Sequence, residues 1–130
     1  MLNNLVEGSE KLGQNIIMKV IHQNTNTILG NNIVKATSFW RRLRGYMFYK
    51  SPKLSFDGIF FPQSSCVHNC FVRFSIDVVF IDKNWEIVKI LRGFRPWRFS
   101  AIYFKSSHVL EFPAGTIDSS ISIGDKLITL

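Results

Sequence analysis

Cys66, His68 and Cys70 alternate along one stretch of the chain. Side chains at i, i+2 and i+4 of an extended strand share a face. Two thiolates and an imidazole suit zinc, which needs a fourth ligand. His22, His108, Asp77 or Glu111 could supply it. The spacing argues against this. Residues two apart on a strand are about 6.6 Å apart along the chain, whereas donors on one tetrahedral zinc sit about 3.5–4 Å from each other. No second cysteine knuckle follows, so the sequence assigns no metal. A Cys66–Cys70 disulfide meets a similar obstacle. Four extended residues span about 13 Å, and bridged Cα atoms lie within about 7 Å. A thiolate beside His68 would also be a nucleophile next to its base. A small Cys/His-dependent hydrolase or transferase is therefore the competing enzymatic reading, although no catalytic residue is assigned. Buried, inert cysteines account for the same pattern.

His68, Arg73, Asp77 and Glu111 form a second set. Asp77 opens an otherwise apolar run, and Glu111 sits inside Val109-Leu110-Glu111-Phe112. Charges carried into a core must be paired or hydrogen-bonded. Arg73 could grip either carboxylate with its two-pronged guanidinium. Such a cluster is either a structural network that fixes strand register or a pocket for a small polar or anionic ligand. A third set is superficial. Arg92, Arg95 and Arg98 interleave with Phe94, Trp97, Phe99, Tyr103 and Phe104. Arg92, Arg95, Trp97 and Arg98 are the candidate partner surface. A protein partner comes first, then an acidic membrane, then single-stranded nucleic acid by stacking. A half-buried edge strand with cationic flanks is the structural alternative.

The elements that must position these groups are mostly strands. Residues 1–15 are polar and read as an N-terminal tail, with one domain over 16–130. Ile16 to Ile21 is a first strand, Asn24-Thr25-Asn26-Thr27 a turn, and Thr27 to Leu29 a returning strand. Gly30-Asn31-Asn32 breaks it and Ile33 to Ala36 resumes it. Thr37 or Ser38 can cap a helix, and Phe39, Leu43 and Tyr46 or Met47 make a helical stripe. One principal helix is thus expected near residues 38–48. Gly58 to Phe61 stops at Pro62. Ile76 to Ile81, a turn at Asp82 to Trp85, and Glu86 to Leu91 form a hairpin. Phe99 to Phe104 reads as an edge strand, His108 to Phe112 as another, Ala114 to Ser120 as a short helical turn, and Lys126 to Leu130 as the last strand. The fold class expected is mostly β (α+β), a single barrel- or sandwich-like domain.

The stretch from Arg42 to Leu130 resembles the DUF192 family, also called UPF0127. Arg42-Leu43-Arg44-Gly45-Tyr46-Met47 is similar to its R-x-R-G-L-M helix, and Gly58 to Pro62 to its glycine-led strand. Val67 to Asp82 resembles its central V-H-T-F-F-M-R-F-P-I-D-V-V-F-L-D. Val109-Leu110-Glu111 with Gly115, then Gly124-Asp125, match its ending. With the strand Ile33 to Ala36, the resemblance covers roughly residues 33–130. It implies a compact β-rich fold and no agreed activity; some members sit beside pilus-assembly and secretion genes. The chain departs from the pattern at Asn69, Cys70, Val72 and Ser75, so a pocket lined by those positions would be altered. Trp85 stands where the hairpin turn usually has Gly, which implies a shifted turn.

At 130 residues the chain is one domain's length. With 46% apolar and 19% charged residues it is globular rather than disordered. No apolar run reaches the roughly 18 residues of a membrane span. Two cysteines are too few for a disulfide scaffold. The first residues lack a secretory signal's apolar core, and cytoplasmic residence is the expectation. The net charge is +7, concentrated in residues 35–105, which hold 13 Lys and Arg against 4 Asp and Glu. A basic field speeds encounter with anions, but no zinc-finger, helix-turn-helix or ribonucleoprotein signature favours nucleic acid. No phosphate loop or cofactor motif is present. The leading expectation is a non-enzymatic domain that binds a small ligand or a protein partner.

Overall fold

A computed structural model describes residues 17–36, 56–68 and 72–130. The helix expected near 38–48 and the tail over 1–15 lie outside them. The described chain contains seven strands: β1 (Ile17–His22), β2 (Thr27–Lys35), β3 (Gly58–Pro62), β4 (Ile76–Ile81), β5 (Ile87–Phe94), β6 (His108–Pro113) and β7 (Leu127–Thr129). They form one sheet in the order β5-β4-β6-β3-β2-β1-β7. Neighbours are antiparallel except β2 and β3, which run parallel.

The sheet curls until its two outer strands meet at one end. The Ile87 amide donates to the Asp125 carbonyl, the Gly124 amide to the Ile87 carbonyl, and the Leu127 amide to the Trp85 carbonyl, at 2.8, 2.8 and 2.9 Å. These bonds occupy strand-edge groups that would otherwise be open to another chain. Of the two expected architectures, the curl fits the barrel and not the sandwich.

Burial follows the period of two. Val20, Ile33, Phe60, Val79, Leu110 and Phe112 pack together inside the curl. Ile59, Phe61, Ile76, Val78, Phe80 and Val109 form a second core on the opposite face of β3, β4 and β6. Phe56, Val67, Phe74 and Tyr103 help to cover it; the Tyr103 ring lies 4.6 Å from that of Phe80. All six residues of β4 are buried, as expected for a central strand with both faces covered. Each large apolar side chain buried there contributes about 1.5–3 kcal/mol.

Four local readings change. β2 runs unbroken through Gly30-Asn31-Asn32, because the Asp57 carboxylate accepts the Asn31 and Asn32 amides at 2.8 and 3.0 Å. Residues 99–104 are not an edge strand. Only Phe99 bridges, to His68, while the Ser100 and Tyr103 amides donate to the carbonyls of Val67 and Ser65. Residues 114–120 form turns rather than a helical segment. The turn at Trp85 forms without a glycine. Trp85 adopts the left-handed φ of 63° that a glycine would supply. Its ring stacks on Phe60 at 5.3 Å, and that packing offsets the strain.

Candidate functional site

Asp77 and Glu111 are both buried, yet the register separates them. Asp77 pairs with Phe112, and Glu111 with Val78 on β4 and Ile59 on β3. Phe112 belongs to the core inside the curl; Val78 and Ile59 belong to the core on the other face. Directly paired residues share a face. The two carboxyl groups therefore point to opposite sides of the sheet. They cannot act as an acid–base pair, which needs both groups on one substrate.

The surroundings of Asp77 are backbone. Its Oδ1 accepts the Gly93 amide at 2.9 Å, and its Oδ2 accepts the amides of Gly115 and Ile117, also at 2.9 Å. These donors come from the end of β5 and the turn after β6. One carboxylate thus ties two segments distant in sequence to β4. The expected grip by Arg73 is not formed: Arg73 is exposed, and amides occupy the carboxylate instead. Glu111 is buried between Ile59 on β3 and Val78 on β4. Burial pushes its carboxyl up to about 8, because the charged form loses its hydration.

Cys66 is exposed and His68 half-buried, on a segment that is not a strand except for the bridge from His68 to Phe99. The face-sharing argument for Cys66 and His68 therefore fails. Cys70 lies outside the described residues. Among the described residues, no three His, Cys, Asp or Glu side chains gather as metal donors.

The basic-aromatic set divides. Arg92 is committed to the fold: its Nε donates to the Ile117 carbonyl at 3.0 Å and its Nη2 to the carbonyls of Asp118 and Ile121. Arg95 and Arg98 are exposed. Trp97 stands 60% exposed between them, followed by Phe99 at 76% and Phe104 at 91%. From Ile87 to Leu110 the chain holds five Lys or Arg and no Asp or Glu. Trp97 also holds a left-handed φ of 63°. A bulky residue there is strained by about 1–3 kcal/mol. Core stacking accompanies such strain at Trp85, whereas Trp97 combines it with exposure to solvent.

One constellation escaped the sequence reading. His22 is fully buried. Its Nε2 lies 2.7 Å from Asp125 Oδ2 and its Nδ1 2.7 Å from Thr25 Oγ1. The Ser122 amide and His22 hold the Asp125 carboxyl below the usual carboxylate range. The order carboxylate–imidazole–hydroxyl is that of a nucleophile relay. Here it links the β1–β2 turn to the turn before β7, where the curled sheet meets itself. Only Asn24-Thr25 and Gly124-Asp125 hinted at it, as turn residues one hundred positions apart.

Comparisons with known proteins agree on the family. The DUF192 family pattern, described as an uncharacterised ACR, matches residues 20–129. A UPF0127 protein of Thermococcus sibiricus is 30% identical over 114 aligned positions, covering 83% of this chain and 72% of that protein. A UPF0127 protein of Pyrococcus furiosus is 33% identical over 96 residues, covering 71% and 81%. Among solved structures, a candidate transcription regulator of Sinorhizobium meliloti superposes with a TM-score of 0.69 at 21% identity, over 86% of this chain and 91% of that one. At that identity the likeness is one of fold.

Proposed function

This chain belongs to the DUF192 family, and on that premise we propose that it is a non-enzymatic binding module whose basic, aromatic face over residues 95–104 docks on an acidic protein. One observation carries the reading: Trp97 is held in a strained backbone conformation, mostly exposed, between two exposed arginines. Backbone strain kept at an exposed position points to function. Exposed Trp and Arg are the residue types that dominate interface energetics. The acid-free run around them supplies the complementary field for a negative partner. The secretion and pilus association of some family members is compatible with an accessory role of this kind. The separation of Asp77 from Glu111 and the backbone partners of Asp77 favour this surface over a pocket built on His68, Arg73, Asp77 and Glu111.

The test is affinity capture from an extract of the source organism, followed by reconstitution with the purified candidate. The expected result is an acidic protein that binds saturably and whose affinity falls about tenfold or more, 1.4 kcal/mol, in both Trp97→Ala and Arg98→Glu. Binding to anionic vesicles or single-stranded nucleic acid alone, or a partner indifferent to both substitutions, refutes it.

A further inference from the structure

At the end of the sheet where β3 and β4 finish and β6 begins, a cleft of about 420 Å³ opens between Gln63-Ser64-Ser65, Lys83 and Ser107-His108, with Ser106 at its base. That volume suits a small molecule. The cleft is built by main-chain bonds. The Ser64 amide donates to the Ser107 carbonyl at 3.0 Å, and the Ser107 amide to the Ile81 carbonyl at 2.7 Å. The Ser106 hydroxyl is engaged by the carbonyls of Ser64 and His108, at 3.0 Å each.

We propose that this cleft binds a small oxyanion, the carboxylate or phosphate group of a metabolite-sized ligand. Several groups that line it can donate. Gln63 takes a left-handed φ of 55°, and its amide donates to His108 Nδ1 at 3.1 Å. An imidazole nitrogen that accepts carries no proton, so the ring proton sits on Nε2, which is left as a donor. Burial and the nearby Lys35 charge hold His108 below its ordinary range, which keeps it in this neutral, singly protonated form. The hydroxyls of Ser65 and Ser107 and the ammonium of Lys83 have no described side-chain or backbone partner. No carboxylate lines the cleft. Asp82, the acid nearest to Lys83 in sequence, has its Oδ1 occupied by the amides of Asn84 and Glu86. Hydroxyl, imidazole and ammonium donors around one space, with Lys35 adding positive charge nearby, suit a ligand that only accepts. This site shares no lining residue with the Trp97 face, and its occupancy does not depend on a protein partner.

The experiment is an amide and imidazole NMR titration of the full chain with sodium phosphate, with sodium acetate, and with glycerol as a neutral control, at constant ionic strength. One saturable site is expected, with shifts at Ser65, Ser107 and the His108 ring and none with glycerol. Tighter phosphate binding assigns a phosphorylated ligand, and tighter acetate binding a carboxylate. Lys83→Gln and Ser107→Ala should each weaken the preferred anion by about threefold to tenfold, as expected for one lost hydrogen bond, with the rest of the spectrum unchanged. Arg98→Gln should leave it intact. Shifts that do not saturate, that persist undiminished in both cleft variants, or that centre on Arg95 and Arg98 would overturn the proposal.

Discussion

Asp77 and Glu111 are diagonal neighbours across the β4–β6 ladder, yet they face opposite sides of the sheet. The carboxylate of Asp77 fastens loops to the barrel interior by accepting amides. The carboxyl group of Glu111 sits in the second core with its proton retained well above the usual pH. They have separate physical roles, and substitutions at the two positions should behave differently.

Asp77→Asn should destabilise the fold by about 2–3 kcal/mol. The amide side chain offers one acceptor oxygen where the carboxylate offers two, so at least one charge-assisted bond to Gly93, Gly115 or Ile117 is lost. The check is the midpoint of urea unfolding at constant slope. An unchanged midpoint would show that the amides find other acceptors.

Glu111 should make the protein less stable as pH rises. Its folded value of about 8 exceeds the ordinary 4.5, so between those values the native state binds more protons than the unfolded state. The slope of unfolding free energy with pH is then negative. The loss begins near pH 4.5 and is complete above pH 8, on the order of a few kcal/mol. Glu111→Gln should abolish this slope and match or exceed the wild type at pH 8. Denaturant melts at pH 5, 6.5 and 8 decide it; parallel curves for both proteins refute it.

Gly58→Ala should cost about 1–3 kcal/mol through overpacking. A Cβ there would meet the Glu111 carbonyl oxygen and Phe112 Cδ1, each at 2.8 Å. The backbone oxygen cannot rotate away as a flexible side chain would. Thermal unfolding measures the loss, and a melting temperature equal to wild type would mean that β3 and β6 can part without penalty.

Asp125→Asn should loosen the junction of β5 with β7. The substituted side chain no longer offers a charged acceptor to both His22 and the Ser122 amide. Amides of Ile87, Gly124 and Leu127 should exchange with solvent faster, while those in β4 keep their protection. Uniform exchange across the sheet would contradict this. Wild-type protein should show the same local loosening in acid. A carboxyl held below its ordinary value stabilises above the unfolded value and loses that contribution as pH falls through the folded one.

Strand existence was legible in the residues. Asp82-Lys83-Asn84 between two apolar runs announced the β4–β5 hairpin, and Pro62 and Pro113 marked the strand ends. The family resemblance rested on Val67 to Asp82 and the later glycines. Which face Asp77 or Glu111 takes was not legible. It depends on a pairing between β4 and β6, which β5 separates in sequence, and a one-residue slip would exchange the faces. Arg92 read as a surface cation because its three carbonyl acceptors lie 25 to 29 residues away. The cleft at His108 was equally hidden: Gln63, Lys83 and Ser107 carry no motif, and only the curl of the sheet assembles them.

The junction of β7 with both β1 and the start of β5 sets an order of events during synthesis. Strands β1 to β6 can pair as soon as residue 113 is free of the ribosome. The outer strands cannot meet until residues 124–130 have also emerged, because their main chain bridges Lys19 to His22 on one side and Trp85 to Ile87 on the other. Until then the nascent sheet has two open edges and His22 lacks its acid. The meeting of β7 with β1 and with the start of β5 comes late, and it shortens the edges to which a neighbouring chain could add.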